Sequence, residues 1–106
     1  MTQSSSGEFV ALDEPAPGQT RAVVVGETKV LICNVDGELF AVENQCTHAR
    51  VLLTSARMID GEIECPVHGA RFDAKSGAVM CAPARRGLRT FAVTRADGGV
   101  TISLES

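Results

Sequence analysis

The stretch CTHARVLLTSARMIDGEIECPVHGARFD, residues 46–73, contains both histidines of this 106-residue chain. Each histidine closely follows a cysteine: Cys46 and His48 form a C-x-H pair, and Cys65 and His68 form a C-x-x-H pair. Sixteen residues separate the two pairs, and they include an Asp-Gly turn signal. Because a hairpin folds the chain back on itself, this segment can bring the pairs together, each supplying one sulfur and one nitrogen.

Short β-rich runs surround this stretch and alternate with turn signals. Three hairpins are predicted, at residues 29–43, 58–64 and 88–105, with Asp-Gly at the turn of each. Residues 8–12 and 21–25 add two further short strands. Residues 49–57 are predicted to form a loop or one helical turn. No sustained helical period is present, so the chain is predicted to be all-β, a sandwich or a barrel.

Composition limits the function classes. The length fits one domain. A formal net charge of −3, with four Phe and neither Trp nor Tyr, gives no reason to expect nucleic-acid binding. No secretory signal or membrane-spanning run is visible, so we expect a cytoplasmic protein that does not enter a membrane. In that compartment Cys33 and Cys81 are expected to be buried or half-buried free thiols.

Charge is unevenly distributed along the chain. Residues 1–45 have a net charge of −5, whereas residues 46–90 carry seven bases and four acids, a net charge of +3. The basic excess therefore coincides with the Cys/His segment. Two interpretations stay open at this point: an ordinary solvated surface, or a docking face for an acidic partner.

Three kinds of site are compatible with two cysteines and two histidines. A structural zinc site is one, although zinc fingers usually group the two cysteines and then the two histidines. A Cys–His nucleophile pair is another, and it would leave the second pair unexplained. The third is an iron–sulfur centre in which two histidines replace two cysteines on one iron.

The sequence CTH…CPVHGARFD resembles the signature of the Rieske [2Fe–2S] family. The resemblance extends from about residue 8 to residue 105. It implies a Rieske-type antiparallel β-sandwich with a small cluster-binding subdomain of two ligand loops. The domain would span 8–106 after a flexible tail at 1–7, with the cluster-binding part at about 44–83, ending in a loop that contains Pro83.

The resemblance also implies a ligand set for the [2Fe–2S] cluster. Cys46 and Cys65 would hold one iron, and His48 and His68 would hold the other, nearer the surface. Two thiolates balance the charge of the oxidised core, whereas four would leave it doubly negative. The mixed set therefore raises the reduction potential above that of all-cysteine clusters.

Four positions depart from the high-potential Rieske proteins of respiratory and photosynthetic complexes. Those proteins carry a disulfide between two further cysteines, where this chain has Val51 and Val67. They also place Ser and Tyr hydroxyls near the cluster sulfurs, where this chain has Ala70 and Phe72. Donors to sulfur stabilise the reduced state, so their absence predicts a potential at the low end of the Rieske range, roughly −150 mV.

The closest resemblance is to the Rieske-type ferredoxins of bacterial aromatic-ring dioxygenase systems. It implies a monomeric single-electron carrier, not an enzyme, that takes electrons from a flavin-dependent ferredoxin reductase and passes them to a terminal Rieske oxygenase. The chain has no third histidine for a mononuclear iron and is too short for a catalytic domain. The alternatives are a small Rieske-like subunit of an assimilatory nitrite reductase, which often lacks the ligands, and a zinc-stabilised interaction domain.

Overall fold

A computed structural model describes residues 8–47, 51–66, 69–81 and 86–104. All regular structure in these ranges is β, which confirms the predicted class. The strands are β1 (Glu8–Ala11), β2 (Thr20–Val25), β3 (Thr28–Val35), β4 (Glu38–Glu43), β5 (Arg57–Ile59), β6 (Glu62–Glu64), β7 (Arg71–Asp73), β8 (Val79–Cys81), β9 (Thr90–Ala96) and β10 (Gly99–Ser103).

The strands form two antiparallel sheets. The larger has six strands in the order β1-β10-β9-β4-β3-β2, and the smaller has four in the order β5-β6-β7-β8. Only two residue pairs, Ala41 with Phe91 and Val42 with Thr90, join β4 to β9. The larger sheet is therefore two three-stranded halves connected by a short junction, and the smaller sheet is the subdomain that carries the second Cys/His pair.

The three predicted hairpins are all present. β3 pairs with β4, β5 with β6, and β9 with β10. The first two turn through Asp-Gly with positive φ at both residues: 54° and 96° at Asp36 and Gly37, and 52° and 80° at Asp60 and Gly61. Positive φ at both central residues is what a type I′ turn requires, and Asp-Gly adopts it readily.

β3 is buried on both faces and divides the apolar interior into two clusters. Val30 and Ile32 face one cluster, between the two halves of the larger sheet. Leu31 and Cys33 face the other, which also contains Ile63 and Phe72 of the smaller sheet. Because successive side chains of a strand point to opposite faces, an unbroken apolar run such as VLIC can serve both clusters.

Two short strands, β7 and β8, were not among the predicted strands. β7 pairs with β6 and β8 pairs with β7, with an irregular register between Arg71 and Phe72.

Within the predicted loop or helical turn at 49–57, residues 51–56 form an irregular loop. The Ala56 N–H donates to the Leu53 carbonyl in it at 2.9 Å. The predicted tail at 1–7 lies outside the described residues.

No helix in the described ranges has the length and apolar character needed to cross a membrane.

Candidate metal centre

The first ligand loop begins where β4 ends at Glu43. Cys46 follows three residues later, and its N–H donates to the Val51 carbonyl at 2.9 Å, which joins the two described ends of the loop. The Cys46 side chain is only 1% exposed. His48 lies between these two closing residues in the sequence, but it is outside the described residues.

The second ligand loop connects β6 to β7. The Cys65 N–H donates to the Ala70 carbonyl at 2.7 Å, and the Gly69 N–H donates back to the Cys65 carbonyl at 3.1 Å. Gly69 has a φ of 76°, a conformation that glycine adopts without a steric penalty. These bonds hold Cys65 at the mouth of the loop with its side chain 1% exposed. His68 lies outside the described residues.

Both cysteines belong to one buried apolar cluster. Its other members include Leu53, Ala70 and Phe72, each fully buried. Two sulfur donors from separate loops therefore point into the same water-poor region. Soft thiolate donors in such surroundings fit an iron–sulfur centre, and burial and hydrogen bonding are what tune its potential. The described residues thus fit the predicted cofactor, while the full set of four ligands stays a prediction.

The segment before β9 lies against the first ligand loop. The Thr47 hydroxyl donates to the Arg86 carbonyl at 2.5 Å. The Arg89 N–H donates to the Glu43 carboxylate at 2.7 Å, and the Glu43 N–H donates to the Arg89 carbonyl at 2.8 Å. Since Thr47 separates the two predicted ligands of its loop, this segment supports that loop directly. The predicted cover loop with Pro83 lies outside the described residues.

A close backbone crossing fixes the position of that supporting segment. The Leu88 N–H donates to the Gly77 carbonyl at 2.7 Å. Gly77 has a φ of 78°, and a Cβ atom there would lie 2.2 Å from the Leu88 carbonyl oxygen. Only glycine permits this approach, so the turn after β7 holds the segment that supports the first ligand loop.

Two exposed apolar side chains lie near the ligand loops, one by sequence and the other because β8 pairs with β7. Leu52, 45% exposed, follows the residue that closes the first ligand loop, and Met80, 52% exposed, lies in β8. Pro66, directly after Cys65, is exposed as well. Arg57 and Arg86 add exposed positive charge, whereas Arg89 is held by a hydrogen bond to the Leu104 carbonyl and by the Phe91 ring.

A cavity of about 640 Å³ lies away from the two cysteines. Its lining includes Asp36, Asp60, Asp73 and Lys75, and it opens beside the two Asp-Gly turns. The Asp60-Gly61 turn lies at the end of the β5–β6 hairpin opposite Cys65, and the Asp36-Gly37 turn belongs to the β3–β4 hairpin. This cavity therefore does not form part of the predicted metal site.

Cys33 is a buried free thiol, as predicted, because its side chain is 0% exposed in the middle of β3. Burial in apolar surroundings raises the pKa of this thiol from 9.0 to about 12. Cys33 therefore stays protonated at neutral pH and is a structural side chain. The corresponding prediction for Cys81 stays a prediction, since its side chain lies outside what the structure describes.

The raised pKa of Cys33 predicts a loss of stability at alkaline pH. The unfolded thiol loses its proton near pH 9, whereas the folded one keeps it to about pH 12. The stabilisation is complete below pH 9, and the free energy of unfolding should then fall by about 1.4 kcal/mol per pH unit up to pH 12. Urea unfolding of the wild type and of Cys33→Ala across this range tests it. Parallel pH profiles would contradict the assignment.

The sequence is similar to a known domain family and to individual known proteins. Residues 7–92 match the model of the Rieske [2Fe–2S] domain family. The chain is 38% identical over 102 residues to the ferredoxin component of the naphthalene 1,2-dioxygenase system of Pseudomonas putida, covering 92% of this chain and 93% of the relative.

Two solved structures share the fold. The ferredoxin of carbazole 1,9a-dioxygenase from Nocardioides aromaticivorans IC177 superposes with a TM-score of 0.83 at 27% identity, over 94% of this chain and 98% of that one. The ferredoxin in the complex of reduced oxygenase and oxidized ferredoxin in carbazole 1,9a-dioxygenase matches with a TM-score of 0.82 at 27% identity, over 95% of this chain and 94% of that one. The chain belongs to the Rieske [2Fe–2S] domain family.

Proposed function

We propose that this chain is a single-electron carrier that takes electrons from a flavin-dependent reductase and delivers them to a terminal ring-hydroxylating oxygenase. The observation that carries the proposal is the alignment of 92% of the chain with a dioxygenase ferredoxin component. The solved complex of an oxygenase with a ferredoxin of this fold supports an oxygenase as the partner. We place this function in the cytoplasm and expect the carrier to act as a monomer.

We further propose that Cys46 and Cys65 bind one iron of the cluster and that His48 and His68 bind the other. When bound, the [2Fe–2S] cluster supplies a centre that gains and loses one electron without bond chemistry on a substrate. The two cysteines, each 1% exposed, exclude water from the sulfur side of the site. The hydrogen bonds of their N–H groups to Val51 and Ala70 fix the backbone that presents the thiolates.

The domain is proposed to span residues 8–106, with the cluster-binding part at about 44–83. Support comes from β10 (Gly99–Ser103), which lies beyond the matched residues 7–92 and yet pairs with both β1 and β9. Val100 and Ile102 of β10 are fully buried in the second apolar cluster. The last strand is therefore integral to the larger sheet.

The reduction potential is expected at the low end of the Rieske range, roughly −150 mV. Ala70, whose carbonyl accepts the hydrogen bond of the Cys65 N–H, is fully buried and brings no hydroxyl to the site. Ala70→Ser should add a donor near the cysteine sulfur and raise the midpoint, because a donor stabilises the more negative reduced state. Potentiometric titration with detection of the reduced form measures the shift.

Ala74→Ser is the matched control for this prediction. Ala74 is also fully buried, but its N–H donates to the Gly61 carbonyl, at the opposite end of the β6–β7 ladder. Four residues of extended chain place it about 13 Å from Ala70. The midpoint reduction potential of Ala74→Ser should match that of the wild type. Equal midpoints for the wild type and Ala70→Ser, or a wild-type midpoint well above 0 mV, would contradict the account.

The surface around the predicted site suits transient docking. Leu52, Met80 and Pro66 are exposed apolar side chains, and Arg57 and Arg86 are exposed cations. Apolar contact at the centre with charge at the rim is the usual composition of such interfaces. Electron delivery to an acidic partner should therefore slow as salt rises, because surface charges are screened beyond about 10 Å at 0.1 M.

The proposed function is tested by anaerobic mixing. The chemically reduced protein is mixed with oxidised terminal oxygenases of the naphthalene and carbazole systems, and its reoxidation is followed by absorbance at low and high salt. We expect reoxidation by at least one oxygenase, faster at low salt. If the reduced protein is reoxidised when air is admitted but by neither oxygenase under anaerobic conditions, the proposal is overturned. Rates that do not depend on salt would remove the docking role of Arg57 and Arg86.

A further inference from the structure

Asn44 is a buried polar residue at the start of the first ligand loop, directly after β4. Its side chain is 3% exposed, and both ends of its amide are used. Its Oδ1 accepts the Leu53 N–H at 2.7 Å, and its Nδ2 donates to the Thr54 hydroxyl at 2.8 Å. We propose that Asn44 is a positioning residue that holds the first ligand loop in the geometry required for cluster binding. This inference rests on the proposed role of Cys46 as a ligand.

Two sets of hydrogen bonds join the two ends of the loop. The inner one joins Cys46 to Val51, and the outer one joins Asn44 to Leu53 and Thr54. The N–H of Asn44 donates to the Lys29 carbonyl at 2.9 Å, which ties Asn44 to the start of β3. Its side chain then holds the returning chain at Leu53 and Thr54, while the Cys46 N–H holds Val51 inside that closure. The predicted ligands of this loop lie between these attachment points, so a change at Asn44 reaches the sulfur through the backbone.

The amide is chemically suited to this position because it donates and accepts at the same time. Alanine removes both bonds and leaves the buried Leu53 N–H without its acceptor. Thr54→Val removes only the hydroxyl at the Nδ2 end, at an exposed side chain, and keeps the Leu53 bond. Asn44→Ala therefore loosens the attachment of the loop more than Thr54→Val does.

The chain contains a matched control in Asn34. It is 4% exposed, its Nδ2 donates to the Pro15 carbonyl at 2.9 Å, and its Oδ1 accepts the Gly37 N–H at 2.8 Å. Asn34 lies near the end of β3, five residues from Lys29, or about 16 Å along the strand. It has the same chemistry and burial as Asn44, but it bridges segments away from the ligand loops.

The experiment compares iron release and the electron paramagnetic resonance spectrum of the reduced form in the wild type, Asn44→Ala, Thr54→Val and Asn34→Ala. Each purified protein is exposed to excess chelator in native buffer, and iron release is followed by absorbance. Removal of residues that orient metal ligands typically weakens metal binding 10- to 100-fold. We therefore expect release at least about tenfold faster for Asn44→Ala, with a broadened spectrum.

Thr54→Val should change both readouts in the same direction by a smaller factor, and it decides the question if Asn44→Ala does not fold. Asn34→Ala should lower the urea midpoint but leave the spectrum and the release rate unchanged. Equal release rates and spectra for the Asn44 and Asn34 variants would overturn the positioning role, leaving a structural one. A wild-type protein without iron would instead refute the ligand assignment, and the mixing experiment judges the electron-carrier role separately.

Discussion

Replacing Cys65 with serine is expected to leave the purified protein without its iron and without visible colour. The Cys65 thiolate is a soft ligand, and a serine hydroxyl does not ionise or bind iron comparably. The fold should persist, because the bonds that close this loop use the backbone of Cys65 with Ala70 and Gly69, and not its side chain. Iron determination together with circular dichroism measures both effects on one sample.

Cys33→Ala provides the control for this loss. Cys33 is as deeply buried as Cys65 and belongs to the same apolar cluster, but it lies within β3 and outside the ligand motif. This variant should be less stable because a buried sulfur is lost, and it should keep its iron. Full iron content in Cys65→Ser, or an equal loss in Cys33→Ala, would show that the ligand assignment is wrong.

Gly77→Ala is expected to destabilise the protein strongly, because Gly77 is crossed by the segment that supports the first ligand loop. Its new Cβ would lie 2.2 Å from the Leu88 carbonyl oxygen, and the backbone has a φ of 78°. The left-handed conformation costs about 1–2 kcal/mol for a residue with a Cβ, and overpacking adds about 1–3 kcal/mol. The free energy of unfolding from urea titration should therefore fall by about 2–5 kcal/mol.

Gly26→Ala separates the cost of the left-handed backbone from the cost of overpacking. Gly26 has a φ of 63°, but a Cβ there meets nothing within 4 Å. This variant should lose only the conformational term of about 1–2 kcal/mol. Equal losses in the two variants would mean that the close crossing at Leu88 does not contribute.

The local features of the fold were predictable from sequence. The Asp36-Gly37 and Asp60-Gly61 turns have the positive φ angles that those residue pairs favour, and the flanking β-rich runs became paired strands. Turn chemistry and strand propensity act within a few residues, so a single sequence contains them. The resemblance of the two Cys/His pairs to the Rieske signature likewise indicated the family correctly.

Features that depend on distant partners were not predictable in this way. β7 and β8 are strands of three residues each, too short for a periodic pattern, and they exist because β6 offers a pairing edge. The pairing of β1 with β10 joins the two ends of the described chain. Neither pairing has a local signal in the sequence.

The supporting contacts of the site were also missed. Gly77 is required because Leu88, eleven residues later, crosses it, and Asn44 is buried because the loop returns to Leu53. The available signals were a glycine after β7 and an asparagine two residues before a predicted ligand. Each becomes informative only when the second segment is in place, so sequence indicated the cysteines but not what holds them.

The most direct test of the account is the iron and acid-labile sulfide content of freshly purified protein, measured with its paramagnetic spectrum after reduction. We predict two iron atoms and two sulfides per chain, as a [2Fe–2S] domain requires, and a spectrum of mixed cysteine and histidine ligation. Protein that contains stoichiometric zinc, or neither iron nor labile sulfide, would contradict it.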